Sequence, residues 1–221
     1  MNAADTPSER AARPEESLSP LSRAAIIAVA AYVAVQLVAD IGSTKIGRLG
    51  GWPVDLGTWV FPIGFTLRDV AHKVLGRRGA RVLILAGAAM NLAMAGFMAL
   101  FVRLPAHATC TLSEPFAAVL APVPRIVLAS ILAQVAGQMV NTEVYHWFRS
   151  RITRRHQWLR VLLSNMAAIP VDSVVFVLAA FAGRYPASAV AGILGVNLAL
   201  KLAVSLAGIP LIYTVRHVDR D

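Results

Sequence analysis

The apolar runs of this 221-residue chain are interrupted by a few polar side chains that recur at helical spacing. Ser130, Gln134, Gln138 and Asn141 stand four, four and three apart, which puts them in one stripe on one helix face. Asn165 and Asp172 are seven apart, again on one face. Asn197, Lys201 and Ser205 follow at intervals of four, as do Gln36 and Asp40, while Asn91 sits near the middle of its own run. Asp172 and Lys201 matter most. An uncompensated charge in mid-membrane costs roughly 2.5–3.5 kcal/mol on insertion scales, so each must face an interior, paired or wet. Adjacent spans would let the two form an ion pair. Charges at that depth point to a solute or ion pathway, the alternative being simple interhelical glue. Single amides such as Asn91 and Gln134 are expected to make one interhelical hydrogen bond each, worth about 0.6 kcal/mol.

Enzymatic chemistry finds little support. The sequence has no His-Glu-x-x-His, no Gly-x-Ser-x-Gly and no phosphate-cradling loop ending in Lys-Ser/Thr. Glu143 and His146, the one acid–base candidate, are expected to be interface residues beside a basic loop. Cys110 is the single cysteine, and no metal-ligand spacing is present, so no catalytic residue, cofactor or metal is expected.

The elements that must position these residues are membrane helices. Fifty-seven per cent of the chain is hydrophobic and 15% charged, against about 25% charged in an ordinary soluble domain. A spanning helix needs about 20 apolar residues. The reading is an all-α, polytopic membrane protein, a six-transmembrane-helix bundle. Its spans are expected near 23–42, 52–68, 80–102, 124–148, 158–182 and 187–214, the second short and kinked at Pro62. Residues 1–22, rich in Pro and charge, are expected to be a disordered cytoplasmic tail, with no cleaved signal peptide. Residues 23–215 form the transport domain and 216–221 a second tail. With the N-terminus inside, 15 of the 21 Lys and Arg fall on the cytoplasmic side and 5 outside, with Lys201 in the sixth span. That asymmetry predicts both termini in the cytoplasm. The net charge of +9 lies in short loops, where it acts as a topology signal, so nucleic acid is not an expected partner and the lipid bilayer is. The 103–123 loop is expected to hold no domain.

In order along the chain stand Lys45, Phe61-Pro62, Asp69, Gly76, Ala80-Arg81 and Gly137-Gln138. Trp158-Leu159-Arg160, Ser164, Asp172, Phe176, Lys201, Pro210 and Tyr213 follow. This ordered set, over about residues 24–215, resembles the queuosine precursor transporters, also called the VUT family. The resemblance implies a six-helix inner-membrane importer of 7-deazaguanines for tRNA modification, with 7-cyano-7-deazaguanine or its aminomethyl relative as solute. The chain departs from the family pattern in four places. Asn141 stands where an Asp is frequent, His72 or Lys73 where a Glu is, and Asp40 where an Asn is. Ala167 to Pro170 replace a polar partner before Asp172.

A 7-deazaguanine is flat and nearly neutral, with ring N–H and amino donors beside a carbonyl acceptor. Asp172 suits the donors, Gln138 or Asn141 the carbonyl, and Phe61 or Phe176 the ring face. Lys201 would hold Asp172 ionised in the empty site. Asn165 and Asn197 complete the candidate substrate-binding set. The alternative is a substrate-binding subunit of an energy-coupling-factor vitamin transporter, which would need partner subunits. An intramembrane enzyme built on Glu143 and His146, and a scaffold with no ligand cavity, are further alternatives. Coupling and oligomeric state are left open by the sequence.

Overall fold

The computed structural model describes residues 20–151 and 157–214, side chains excepted at some helical positions, among them 68–78 and 208–214. The expected tails lie outside these residues except for the start of the first helix. Helix α1 (Pro20–Gly42) leads into a β-hairpin, β1 (Ile46–Leu49) and β2 (Trp52–Asp55), then a 3₁₀ turn at Leu56–Trp59. Helices α2 (Phe61–Arg103), α3 (Ser113–Leu120), α4 (Val123–Arg151), α5 (Gln157–Phe181) and α6 (Ala187–Thr214) follow.

Four described stretches are long and apolar enough to cross a membrane: Arg81–Arg103, Ser113–Val144, Leu162–Phe181 and Ala187–Ala207. Ile26–Gly42 is a shorter apolar helix. The outward faces are apolar. On α4, Leu128, Leu132, Val135 and Met139 are exposed at helical spacing, as a lipid-facing stripe would be. Polar residues turn inward instead: Asp40, Asn91, Asn197 and Lys201 are buried.

Helix α2 cannot be straight. Gly64 lies against Val35 and Gln36, and Gly87 against Tyr32. Leu67 and Leu83 both belong to the cluster around Tyr32. Sixteen helical residues span about 24 Å, far beyond the reach of one tyrosine. The chain therefore reverses between Leu67 and Leu83, giving a short limb and a long limb. The reversal lies at the end of the bundle where α4 ends and α5 begins, the basic end by sequence. The opposite end holds the hairpin, α3 and the α5–α6 turn.

The second expected span is corrected at its start. Residues 52–55 are extended and complete a hairpin whose register pairs Ile46 with Asp55 and Leu49 with Trp52, and residues 56–59 form the 3₁₀ turn rather than α-helix. The Gly50-Gly51 turn takes φ of 54° and 98°, open to glycine and matched to a two-residue hairpin loop. The hairpin enters the bundle. Val54 and Asp55 are 2% and 1% exposed, and a Cβ on Gly192 of α6 would lie 2.6 Å from the Pro53 ring. Non-helical backbone is tolerated at this depth because protein covers it. The loop after Arg103 carries α3. The main apolar core joins Ile126, Ala133, Phe176, Val177 and Ile193 across α4, α5 and α6.

Candidate functional site

A polar seam runs between α4, α5 and α6. Its centre is the ion pair of Lys201 Nζ with Asp172 Oδ2. The lysine side chain is 5% exposed and the aspartate 23%, so the carboxylate is the accessible half. Lys201 Nζ also lies 5.8 Å from the centre of the Phe176 ring, a cation–π contact. The edge of Phe181 braces that ring at 5.7 Å and 86°. Gly137 makes the close approach of α4 possible, because a Cβ there would sit 3.0 Å from Asp172 Cβ. Pro170 lies inside α5, two residues before Asp172, and removes one backbone donor from that turn.

Two polar layers flank the pair. Toward the basic end, Asn141 Nδ2 donates to Asn165 Oδ1 (3.2 Å), and Asn165 Nδ2 donates to Ser205 Oγ (3.1 Å). Toward the hairpin end, Asn197 Nδ2 donates to Thr58 Oγ1 at 2.9 Å. Thr58 in turn is bound to Asp55, its N–H donating to Oδ1 at 3.0 Å and its hydroxyl to Oδ2. Ser43 Oγ completes the knot by donating to Asp55 Oδ1 at 2.8 Å. The Asp55 carboxylate thus staples the hairpin to the end of α1 and, through Thr58, to α6. Asn197 Oδ1 and Ser173 Oγ are buried beside this seam with no hydrogen-bond partner among the described residues, which leaves an acceptor and a hydroxyl on offer.

Of the residues expected to bind solute, the fold brings together Asp172, Lys201, Phe176, Asn141, Asn165 and Asn197. Gln138 is exposed at the α4 surface, and its side chain makes no hydrogen bond among the described residues. Phe61 opens α2 and its side chain lies outside those described, as does that of His146; Glu143 is exposed. The stripe from Ser130 to Asn141 is divided between neighbours: Ser130 Oγ donates to Asp40 of α1 (3.2 Å), Asn141 to α5. Asn91 makes the single interhelical bond expected of it, from Nδ2 to Asp40 Oδ2 at 2.8 Å. A cavity of about 280 Å³ opens at the hairpin end, bordered by Ser43, Thr44, Ile126, Phe181, Arg184 and Tyr185. None of the eight expected residues lines it. Its link to the seam is Ser43, which touches both the cavity and Asp55.

The sequence reading passed over Asp55, Ser43 and Thr58. Their one signal was the Gly-Gly turn with hydroxyls and a carboxylate around it. Among the described residues no group of three or more His, Cys, Asp or Glu is placed to hold a metal ion.

Apolar outer faces around a charged and carboxamide-lined seam define a helical multi-pass membrane protein of the transporter class. Residues 55–215, more than half of the chain, match the family described as "Putative vitamin uptake transporter", and the chain belongs to it. This is a family of transporters, not of enzymes. The chain is also similar to the "Probable queuosine precursor transporter" of Bacillus subtilis (strain 168), with 28% identity over 182 residues, 81% of this chain and 79% of the relative. No solved structure matches it.

Proposed function

We propose that this chain imports a queuosine precursor, 7-cyano-7-deazaguanine or 7-aminomethyl-7-deazaguanine, or a flat solute like them, for tRNA modification. The observation that carries this reading is the partly accessible Asp172, held by Lys201 and flanked by carboxamides on both sides. The name of the Bacillus subtilis relative points the same way. In the empty state Lys201 occupies the carboxylate. Solute ring N–H and amino groups then take its place as donors to Asp172. Asn141 or the freed Lys201 meets the solute carbonyl, and Phe176 offers the ring face. Lys201 stays close enough to balance the carboxylate while the solute's donors bind it.

The chain crosses the membrane six times in this reading, the two limbs of α2 supplying the second and third passes. The positive-inside asymmetry supports an inner-membrane orientation with the basic end and both termini in the cytoplasm and the hairpin and its cavity facing out. The reading as a subunit of an energy-coupling-factor transporter is not favoured by the comparisons. A thermal-shift panel tests the solute. The purified chain is expected to be stabilised by 7-cyano- or 7-aminomethyl-7-deazaguanine and not by guanine or vitamins. Stabilisation by a vitamin alone would overturn the assignment.

A further inference from the structure

A second acid lies inside the bundle, remote from the seam. Asp40 is 5% exposed, two residues before the end of α1. Its carboxylate reaches Asn91, near the middle of Arg81–Arg103, and Ser130 of α4. Both partners are neutral. No described cation lies within ion-pair distance of Asp40; the described ion pair of the interior is spent on Asp172. Among the described residues, the charged groups on the elements packed against α1 are otherwise engaged or outside. Arg81 and Arg103 are exposed at the ends of the long limb of α2. On α4, Arg125 donates to the carbonyls of Ala179 and Ala182, and Glu143 is exposed. On the hairpin, Asp55 is bound to Ser43 and Thr58, and Lys45 and Arg48 are exposed. On α1 itself, Arg23 is exposed far down the helix.

A buried carboxylate held by two neutral donors lacks the opposite charge that such a group requires. A cation from solution must supply it while the bundle is closed. The donor set says which cation. A hard metal ion requires several oxygen ligands, whereas Asn91 turns an N–H toward the carboxylate. A proton asks only that Ser130 reverse its role: the new O–H on Asp40 Oδ1 donates to Ser130 Oγ, and Asn91 keeps donating to Oδ2. We propose that Asp40, braced by Asn91 and Ser130, is the proton-carrying site of this transporter. The O–H bond forms with a proton entering from the cavity at the hairpin end, whose wall Ser43 forms three residues beyond Asp40. It breaks when the proton leaves toward the basic end. Ser43 also begins the hydrogen-bonded chain through Asp55 and Thr58 to Asn197, one turn from Lys201. That chain starts three residues from Asp40 and ends one turn from Lys201, so the two sites lie at its two ends.

The transport half of this proposal rests on the importer reading above, so the deciding experiment needs no solute. Infrared difference spectra of the reconstituted full chain after a pH jump are expected to contain the carbonyl band of a protonated carboxyl group. That band should vanish in Asp40→Asn, persist in Asp172→Asn, and move in frequency in Ser130→Ala. The last variant keeps the carboxylate and decides the matter should Asp40→Asn fail to fold. A band that survives Asp40→Asn unchanged, or that Ser130→Ala leaves in place, overturns the proposal. So does a rise of several degrees in the wild-type melting temperature when sodium chloride replaces choline chloride, if Asp40→Asn abolishes it. In liposomes, accumulation of labelled 7-deazaguanine driven by a pH gradient is expected to collapse with a protonophore. Wild-type uptake indifferent to the protonophore overturns the coupling, whereas absent uptake with an intact infrared band overturns the solute reading alone.

Discussion

Asp172 and Asp40 are both carboxylates among apolar helices, and their surroundings treat them in opposite ways. Asp172 meets a lysine contributed by the next helix, so the pair is neutral without help from solution. Asp40 meets only an amide and a hydroxyl. Exposure differs too: Asp172 keeps 23% of its side chain accessible, whereas Asp40 as a residue keeps 5%. An acid that already has a cationic partner can exchange that partner for a solute bearing donors. An acid with none must borrow its cation. In the proposed reading the two regions divide the work of a carrier between recognition and coupling, with the Asp55 hairpin as the joint between them.

The sharpest way to break this contrast is to remove one charge of the pair. Lys201→Met strands Asp172 in the interior and is expected to cost about 3–5 kcal/mol, read as a large fall in melting temperature. The double variant Lys201→Met/Asp172→Asn should recover most of that stability and none of the uptake. A double variant no more stable than the single one would show that the two charges do not neutralise each other. Next in size is the joint. Asn197→Ala removes the donor to Thr58 and should cost about 1–2 kcal/mol. Hydrogen exchange over residues 52–60 is expected to quicken, and unchanged exchange would mean that the hairpin is held by other contacts. Asn165→Ala loses two interhelical hydrogen bonds of about 0.6 kcal/mol each, so a fall in stability of about 1 kcal/mol is expected in chemical denaturation. Gln138→Ala, at an exposed position, should stay within about 0.5 kcal/mol and leave uptake near the wild-type rate. A strong effect there would return Gln138 to the site.

The helices of the second half were legible because hydrophobic runs and basic loops bound them sharply. Spans expected at 158–182 and 187–214 are found at Gln157–Phe181 and Ala187–Thr214. The hairpin was not legible, since Trp52, Pro53 and Val54 read as a continuation of the apolar run from Trp59 to Phe65. Four-residue strands are too short for their alternation to stand out. Within the site, the pairing of Asp172 with Lys201 followed from charge and depth alone. Asp40 had the same chemistry but no visible partner, because Asn91 and Ser130 lie 51 and 90 residues away in sequence. Gln138 was grouped with Asn141 by helical phase, yet along that stripe Ser130 meets α1, Asn141 meets α5 and Gln138 is exposed. A stripe of constant phase therefore faces changing neighbours.

The claim on which the account depends is that the seam at Asp172 is where solute binds. The direct measurement is uptake of labelled 7-cyano-7-deazaguanine by liposomes containing this chain alone, compared among wild type, Asp172→Asn and Ser205→Ala. The account predicts uptake without partner subunits, at least a tenfold loss in Asp172→Asn, on the scale of a buried polar recognition group left mismatched, and less than about a twofold loss in Ser205→Ala. Equal, mild losses in both variants, or uptake that appears only when other subunits are added, would contradict it.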